Sequence, residues 1–277
     1  MTSTVTSAVD FYEKHPITAK IILTKVAAER GSLDGLKAED LWAHDQDHYG
    51  GLEANDRLAA AAGLKPGQKV TDFCAGLGGP ARYNAIKHGV TVTGIEITPA
   101  RVAGAAELTR HVGLEDRVRV VEGDVMAVPL ADASQDVVLS QEAFLHVPDV
   151  PKAFAEAHRI LKPSGVFAFT NWTAPKPLSD AQKKLLWDGI AVQKLYSQSE
   201  QVDLLGRAGF KDIRAEDISH WWRDILVERL AMYQKLRGEA AKAGAPAGHD
   251  AFYEAYVLFV DLIKTGGLGG VRIVARK

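Results

Sequence analysis

Three acidic side chains occupy positions where alternating α/β chains do chemistry. Asp72 lies in "KVTDF", Glu96 in "VTVTGIEI" and Asp124 in "EGDVMAVPL", each at or just past the end of a strand-like run. Between the first two lies "CAGLGG", with Gly76, Gly78 and Gly79. Glycine sacrifices backbone order, so a cluster directly after a buried strand marks a tight turn or a close approach of backbone to ligand. An acid at the end of a second strand, about 20 residues beyond a glycine loop, suits the two hydroxyls of a ribose. A pyrophosphate favours a helix N-terminus without a nearby carboxylate. Asp72, just before the loop, is therefore awkward for a phosphate and comfortable for a cation. The loop spells G-L-G-G and not the G-x-G-x-x-G of dinucleotide enzymes, which disfavours a nicotinamide dinucleotide. A ligand combining a ribose, an adenine and a positive centre fits all three acids.

The elements that must position these groups alternate. Strands are expected over 69–73, 90–97, 117–123, 136–141, 166–172, 211–218 and 269–277, seven in all, most of them separated by helical patterns. Thr98 is expected as the N-cap and Pro99 as the first residue of the helix after the second strand. The helix "VPKAFAEAHRILKPSG" is expected to close at Pro163-Ser164-Gly165. Such alternation predicts an α/β chain with a doubly wound, mostly parallel sheet, ligands sitting beyond the strands' carboxyl ends where strand order reverses. Residues 1–65 read as a helical N-terminal segment or lid, 66–218 as the cofactor-binding core, 219–267 as a helical cap insertion and 268–277 as the last strand. "RGEAAKAGAPAGHD" (237–250) reads as linker-like.

Bulk properties narrow the classes. The chain has 277 residues, 47% hydrophobic and 25% charged, with a formal net charge of −2. No basic stripe suggests a nucleic-acid partner. The one cysteine, Cys74, excludes an internal disulfide framework and a multi-thiol metal site, and no metal is expected. No apolar run reaches the roughly 18 residues of a membrane span. "MTSTVTSAVDFYEKH" lacks the pattern of a secretory leader, so a soluble cytoplasmic protein is expected.

"VTDFCAGLGGPA", "VTGIEITPARV", "VVEGDVMAVPLADASQDVVLSQEAFLHV" and "RILKPSGVFAFTNW" together resemble the class I S-adenosylmethionine-dependent methyltransferases of Rossmann-like fold, over roughly residues 66–218. The chain departs from the commonest family form at Ala75, where glycine is usual. The resemblance implies S-adenosylmethionine as cofactor and S-adenosylhomocysteine as product. It places the loop from Ala75 through Gly76 and Gly78 to Gly79 along the methionine portion, with Asp72 beside it. Glu96 would accept both ribose hydroxyls, Ile97 would lie on the adenine, and Asp124 and the Val125 backbone N–H would read its edge. Gln141 would lie near the methionine chain. "DQDHYGGLEAND" (45–56) is similar to a segment upstream of the core in relatives of sarcosine/dimethylglycine and phosphoethanolamine N-methyltransferases, which puts Gln46, His48 and Tyr49 over the cofactor's amino-acid end. Blander roles compete: Gly79 for helix–strand packing, Asp72 as a turn cap, Gly50-Gly51 as a plain turn.

Methyl transfer from a sulfonium is an in-line displacement, and a general base is needed only when the nucleophile carries a proton. His146 is the first candidate, with His48 and Tyr49 behind it; a packing or capping role for His146 competes. Tyr49, Phe144, His146, Trp172 and Trp221 are the candidate substrate residues, with Trp42 and Trp222 nearby. Trp221 and Trp222 are adjacent, so a helix cannot aim both at one ligand. Aromatic walls hold a methylated ammonium by cation–π attraction, but equally line a pocket for a phenol or an apolar skeleton. The reading is a small-molecule methyltransferase leaning to an amine nitrogen. Alternatives are O- or C-methylation of a phenolic or apolar metabolite, or a module that binds the cofactor without turnover. No nucleic-acid or membrane partner is expected, and the oligomeric state, a homodimer included, is left open.

Overall fold

The computed structural model describes residues 7–242 and 250–277. Short helices α1 (Ala8–Glu13), α2 (Ala19–Arg30), α3 (Ala38–Leu41) and α4 (Gly51–Ala62) precede the sheet. Then follow β1 (Lys69–Phe73), α5 (Gly79–His88), β2 (Thr91–Glu96), α6 (Pro99–His111), β3 (Val118–Glu122) and β4 (Gln135–Gln141). A 3-10 turn, Phe144–His146, leads to α7 (Val150–Ile160) and β5 (Leu161–Thr173). The chain ends with α8 (Asp180–Ile190), α9 (Gln198–Arg207), β6 (Lys211–Asp217), α10 (Ser219–Lys242), α11 (Asp250–Lys264) and β7 (Gly269–Arg276). The seven strands form one sheet in the order β3-β2-β1-β4-β5-β7-β6, parallel except for β7, which runs antiparallel to both neighbours. The order reverses between β1 and β4, so their carboxyl ends open the crevice in which such sheets bind ligands.

Strand side chains alternate between the two faces. Val138, Phe167 and Phe169 join one buried cluster with Phe73 and Phe154. Val137, Leu139, Val166 and Ala168 join another with Leu58 and Val92. Burial on both faces explains why these strands read as continuous apolar runs. A third cluster, Trp172, Leu186, Trp222, Leu226, Phe259 and Leu268, forms where α8, α10 and α11 cover the tips of β5 and β7.

Two local expectations change. Thr98 stands at the N-cap position of α6 with Pro99 following, but its side chain makes no capping bond. Its backbone N–H instead donates to Glu96. Helix α7 stops at Ile160, before Pro163-Ser164-Gly165, and Leu161 is already extended (φ −69°, ψ 139°). Proline pushes its predecessor out of the helical region, and this stretch joins β5, whose register against β4 shifts between Gln135 and Val137. Of the linker-like 237–250, residues 237–242 continue α10, Asp250 begins α11, and 243–249 lie outside the described residues.

Candidate functional site

The glycine loop leaves β1 through Cys74, a non-glycine residue with φ of 58°, and Gly76, with φ of 55°. The positive φ at Gly76 turns its N–H onto Glu96 Oε2 at 2.9 Å, while Thr98 N–H donates to Glu96 Oε1 at 2.8 Å. Both oxygens of Glu96 are thus held by backbone, and each retains a lone pair to accept a further bond. Ala75, where glycine is usual, finds room because Gly94 on β2 has no side chain: a Cβ there would lie 2.5 Å from that of Ala75. Ile97 follows Glu96 and stays 45% exposed, an open apolar wall beside the carboxylate. Asp124 Oδ1 accepts Met126 N–H at 2.8 Å, which fixes the carboxylate in its turn. Val125 turns its side chain into the core. Asp72 is buried, and burial, with Glu96 nearby, pushes its carboxyl up to about 7. A carboxyl so poorly compensated is poised to meet a positive charge.

The segment 45–51 straps over this loop. Asp45 and Arg82 form an ion pair at 3.0 Å with both side chains fully buried. Gly79 carries no Cβ because one would stand 1.9 Å from the Asp45 carbonyl oxygen. Its absent side chain thus serves the strap's approach to α5. Gln46 and Gln141 are joined by a residue the sequence did not single out: Gln141 donates to Asn55 at 2.8 Å and Asn55 to Gln46 at 2.7 Å. The Gln141 side-chain oxygen is buried without a partner among the described residues.

On the other side of the crevice, His146 is fixed at both nitrogens. Nδ1 lies 3.1 Å from the Ala191 carbonyl, which can only accept, so Nδ1 carries the proton. Nε2 then accepts from the Tyr12 hydroxyl at 3.1 Å. Withdrawal from water lowers His146 to about 4, so the ring is neutral near pH 7. Glu142, at the tip of β4 with φ of 57°, accepts Tyr49 N–H at 2.8 Å. Loss of solvent drives its carboxyl up to about 8. The Tyr49 ring meets Trp172 and Trp222 edge-on at 5.7 Å, and the Arg229 guanidinium covers it at 4.9 Å.

Several expected residues stand elsewhere. Phe144 is wholly buried among Phe154, Phe167 and Phe169, so it is core and not a substrate contact. Trp221 packs against Gly50 under Arg57; its neighbour Trp222 takes the place beside Tyr49. Trp42 packs on Tyr83. His48 is buried, lowered to about 4, and places Nε2 3.0 Å from the Gly51 carbonyl, which ties it to the strap's turn. Tyr12, Asn55, Arg101, Glu142 and Arg229 went unforeseen. Glu142 stood in "SQEAFLH" with His146, Asn55 in "DQDHYGGLEAND" and Arg101 in "VTGIEITPARV", whereas Tyr12 and Arg229 lay outside these motifs. A cavity of about 640 Å³ lined by Ser197, Ser219, His220 and Lys264, among others, contains neither the three acids nor His146.

The model of a methyltransferase domain matches residues 71–169. A 27-O-demethylrifamycin SV methyltransferase of Amycolatopsis mediterranei is 30% identical over 225 residues, covering 80% of this chain and 82% of that protein. A sterol 24-C-methyltransferase of Gibberella zeae is 34% identical over 170 residues, covering 58% of this chain and 44% of the relative. The chain thus spans less than half of that relative's length. Among solved structures, a Galdieria sulphuraria protein assigned as a sarcosine dimethylglycine methyltransferase superposes with a TM-score of 0.71 at 27% identity, covering 82% of this chain and 86% of that one. The chain belongs to this methyltransferase family.

Proposed function

We propose that the chain moves a methyl group from S-adenosylmethionine to a small-molecule acceptor in the cytoplasm and releases S-adenosylhomocysteine. The observation that carries this reading is Glu96, held through both oxygens by the N–H groups of Gly76 and Thr98 beside the open face of Ile97. That arrangement suits a ribose diol next to a flat base. The unpartnered oxygen of Gln141 and the uncompensated Asp72 suit a polar, partly cationic ligand portion along the loop. The cofactor, when bound, supplies a methyl group on a sulfonium ready for displacement. The protein's part is to orient the two reactants and exclude water, and the strap and α1 are built for both.

The acceptor is read as an amine nitrogen. Glu142 offers a buried carboxyl between the strap and the aromatic walls of Tyr49, Trp172 and Trp222, and such walls attract a cation. An amine must shed its proton before or during transfer. Tyr12, donating to neutral His146, keeps lone pairs with which to accept that proton while its own passes to Nε2. A phenolic or apolar acceptor is the second reading, favoured by the O- and C-methylating names among the relatives. Incubation with methyl-labelled S-adenosylmethionine and a panel of amines, phenols and alkenes tests the choice. Label in an amine supports the first reading, and label only in phenols or alkenes replaces it with the second. Bound S-adenosylhomocysteine with no labelled product would mark a binding module.

A further inference from the structure

Arg101 sits in the first turn of α6, five residues past Glu96, and only 5% of its side chain is exposed. Nη1 donates to Asp47 Oδ2 at 3.1 Å, and the guanidinium lies 4.7 Å from the centre of the Tyr12 ring. Nε and Nη2 are buried and bond to nothing among the described residues. A Cβ on Gly76 would fall 3.4 Å from Nη1, so the guanidinium lies against the bare face of the residue that holds Glu96 in place.

A buried cation with half its donors idle is costly, because each idle donor has given up water for nothing. Arg82, buried as deeply on α5, shows what a structural arginine looks like here. It pairs with a fully buried Asp45 and donates also to Thr109 and the Ala105 carbonyl, so that among the described residues Nε is its one buried nitrogen without a partner. Arg101 has only Asp47, which is 35% exposed and therefore screened. Arg229, the other cation identified beside the crevice, donates to the His48 carbonyl and stacks on Tyr49. At one end of the loop 72–76 stands Asp72, an acid that pairs with no cation among the described residues; at the other lies Arg101, a cation with idle donors. Opposite charges so placed complement an α-amino acid group.

We infer that Arg101 is the anion contact of the cofactor site, its Nε–Nη2 edge taking the carboxylate at the amino-acid end of the methyl donor. Forked donors suit a carboxylate's two oxygens. The inference rests on the methyl-donor reading above. It also gives α1 a role: the Tyr12 ring that covers the guanidinium is carried by the residue whose hydroxyl engages His146, so one residue bridges the donor's anionic end and the transfer site.

Calorimetry with three ligands decides the matter: S-adenosylhomocysteine, its decarboxylated analogue, and 5′-methylthioadenosine, which lacks the whole amino-acid end. The wild type is expected to bind S-adenosylhomocysteine about 10- to 100-fold more tightly than the decarboxylated analogue. Arg101→Met, which keeps the aliphatic stem, is expected to lose that discrimination while binding 5′-methylthioadenosine within about twofold of the wild type. Arg101→Lys should recover part of it. A wild type that does not distinguish the first two ligands overturns the inference without recourse to any variant. So does an Arg101→Met protein that weakens toward all three equally, since Arg101 would then only support the fold. A wild type that binds none of the three ligands would instead bring down the methyl-donor reading itself.

Discussion

The two halves of the crevice are built differently. On the β1–β2–β3 side, two carboxylates are held by backbone N–H groups no more than 20 positions away in sequence. Glu96 is set by Thr98 and Gly76, and Asp124 by Met126. On the β4–β5 side, the groups come from segments far apart in sequence. Tyr12 meets His146 across 134 positions, Tyr49 meets Glu142 across 93, and Arg229 meets His48 across 181. The first half is local geometry that any chain with this strand–loop–helix pattern must form. The second depends on how the N-terminal helices, the sheet and α10–α11 pack together, and can vary with the acceptor while the first stays the same.

Substitutions should therefore separate the halves, save at the clamp between them. Arg82→Met leaves Asp45 as a buried unpaired charge and frees the strap that serves both sides. It should cost about 3–5 kcal/mol in denaturant unfolding; a loss below about 1 kcal/mol would show the strap to be held by other contacts. Glu96→Ala should weaken S-adenosylhomocysteine binding on the order of a hundredfold, since two hydrogen bonds to a charged acceptor are lost. Its melting temperature should move far less than that of Arg82→Met. Tyr12→Phe should do the converse, slowing turnover about 10- to 100-fold with cofactor affinity unchanged. A matched loss of affinity would place Tyr12 in the cofactor half instead.

A smaller effect concerns pH. With Asp72 held up to about 7, the carboxyl is largely neutral at pH 6 and largely ionised at pH 8. A cationic ligand prefers the ionised form, so S-adenosylmethionine affinity should rise about tenfold over that interval. Asp72→Asn should flatten the rise, and a wild-type affinity independent of pH would remove Asp72 from the site. The smallest effect belongs to Trp221→Ala: its ring packs on Gly50, away from Tyr49, so acceptor KM should stay within about twofold of the wild type, while Trp222→Ala should raise it.

The same contrast explains what could be read beforehand. Asp72, Glu96 and Asp124 were visible because strand ends, glycine turns and sequence spacing are local properties, and the inner strands followed from apolar runs, whereas β6 is polar and largely exposed. Phe144 was misplaced because an aromatic just past a strand tip turns into the core or the crevice according to packing, which spacing alone does not encode. Trp221 and Trp222 were correctly opposed, but helical phase alone does not say which of the two faces inward. Tyr12 and Arg101 escaped notice because nothing near either residue in sequence announces a partner that lies 134 or 54 positions away. Gly79 belonged to the glycine cluster by spelling, yet the Asp45 carbonyl gives it another purpose.

The central claim is that the tips of β1, β2 and β3 form an adenosine site with a place for positive charge, and titration of the wild-type chain by calorimetry tests it most directly. Binding of S-adenosylhomocysteine at one site per chain, with no binding of a nicotinamide dinucleotide at the same concentration, is the result predicted here. Heat with the dinucleotide, or silence with S-adenosylhomocysteine, would contradict it.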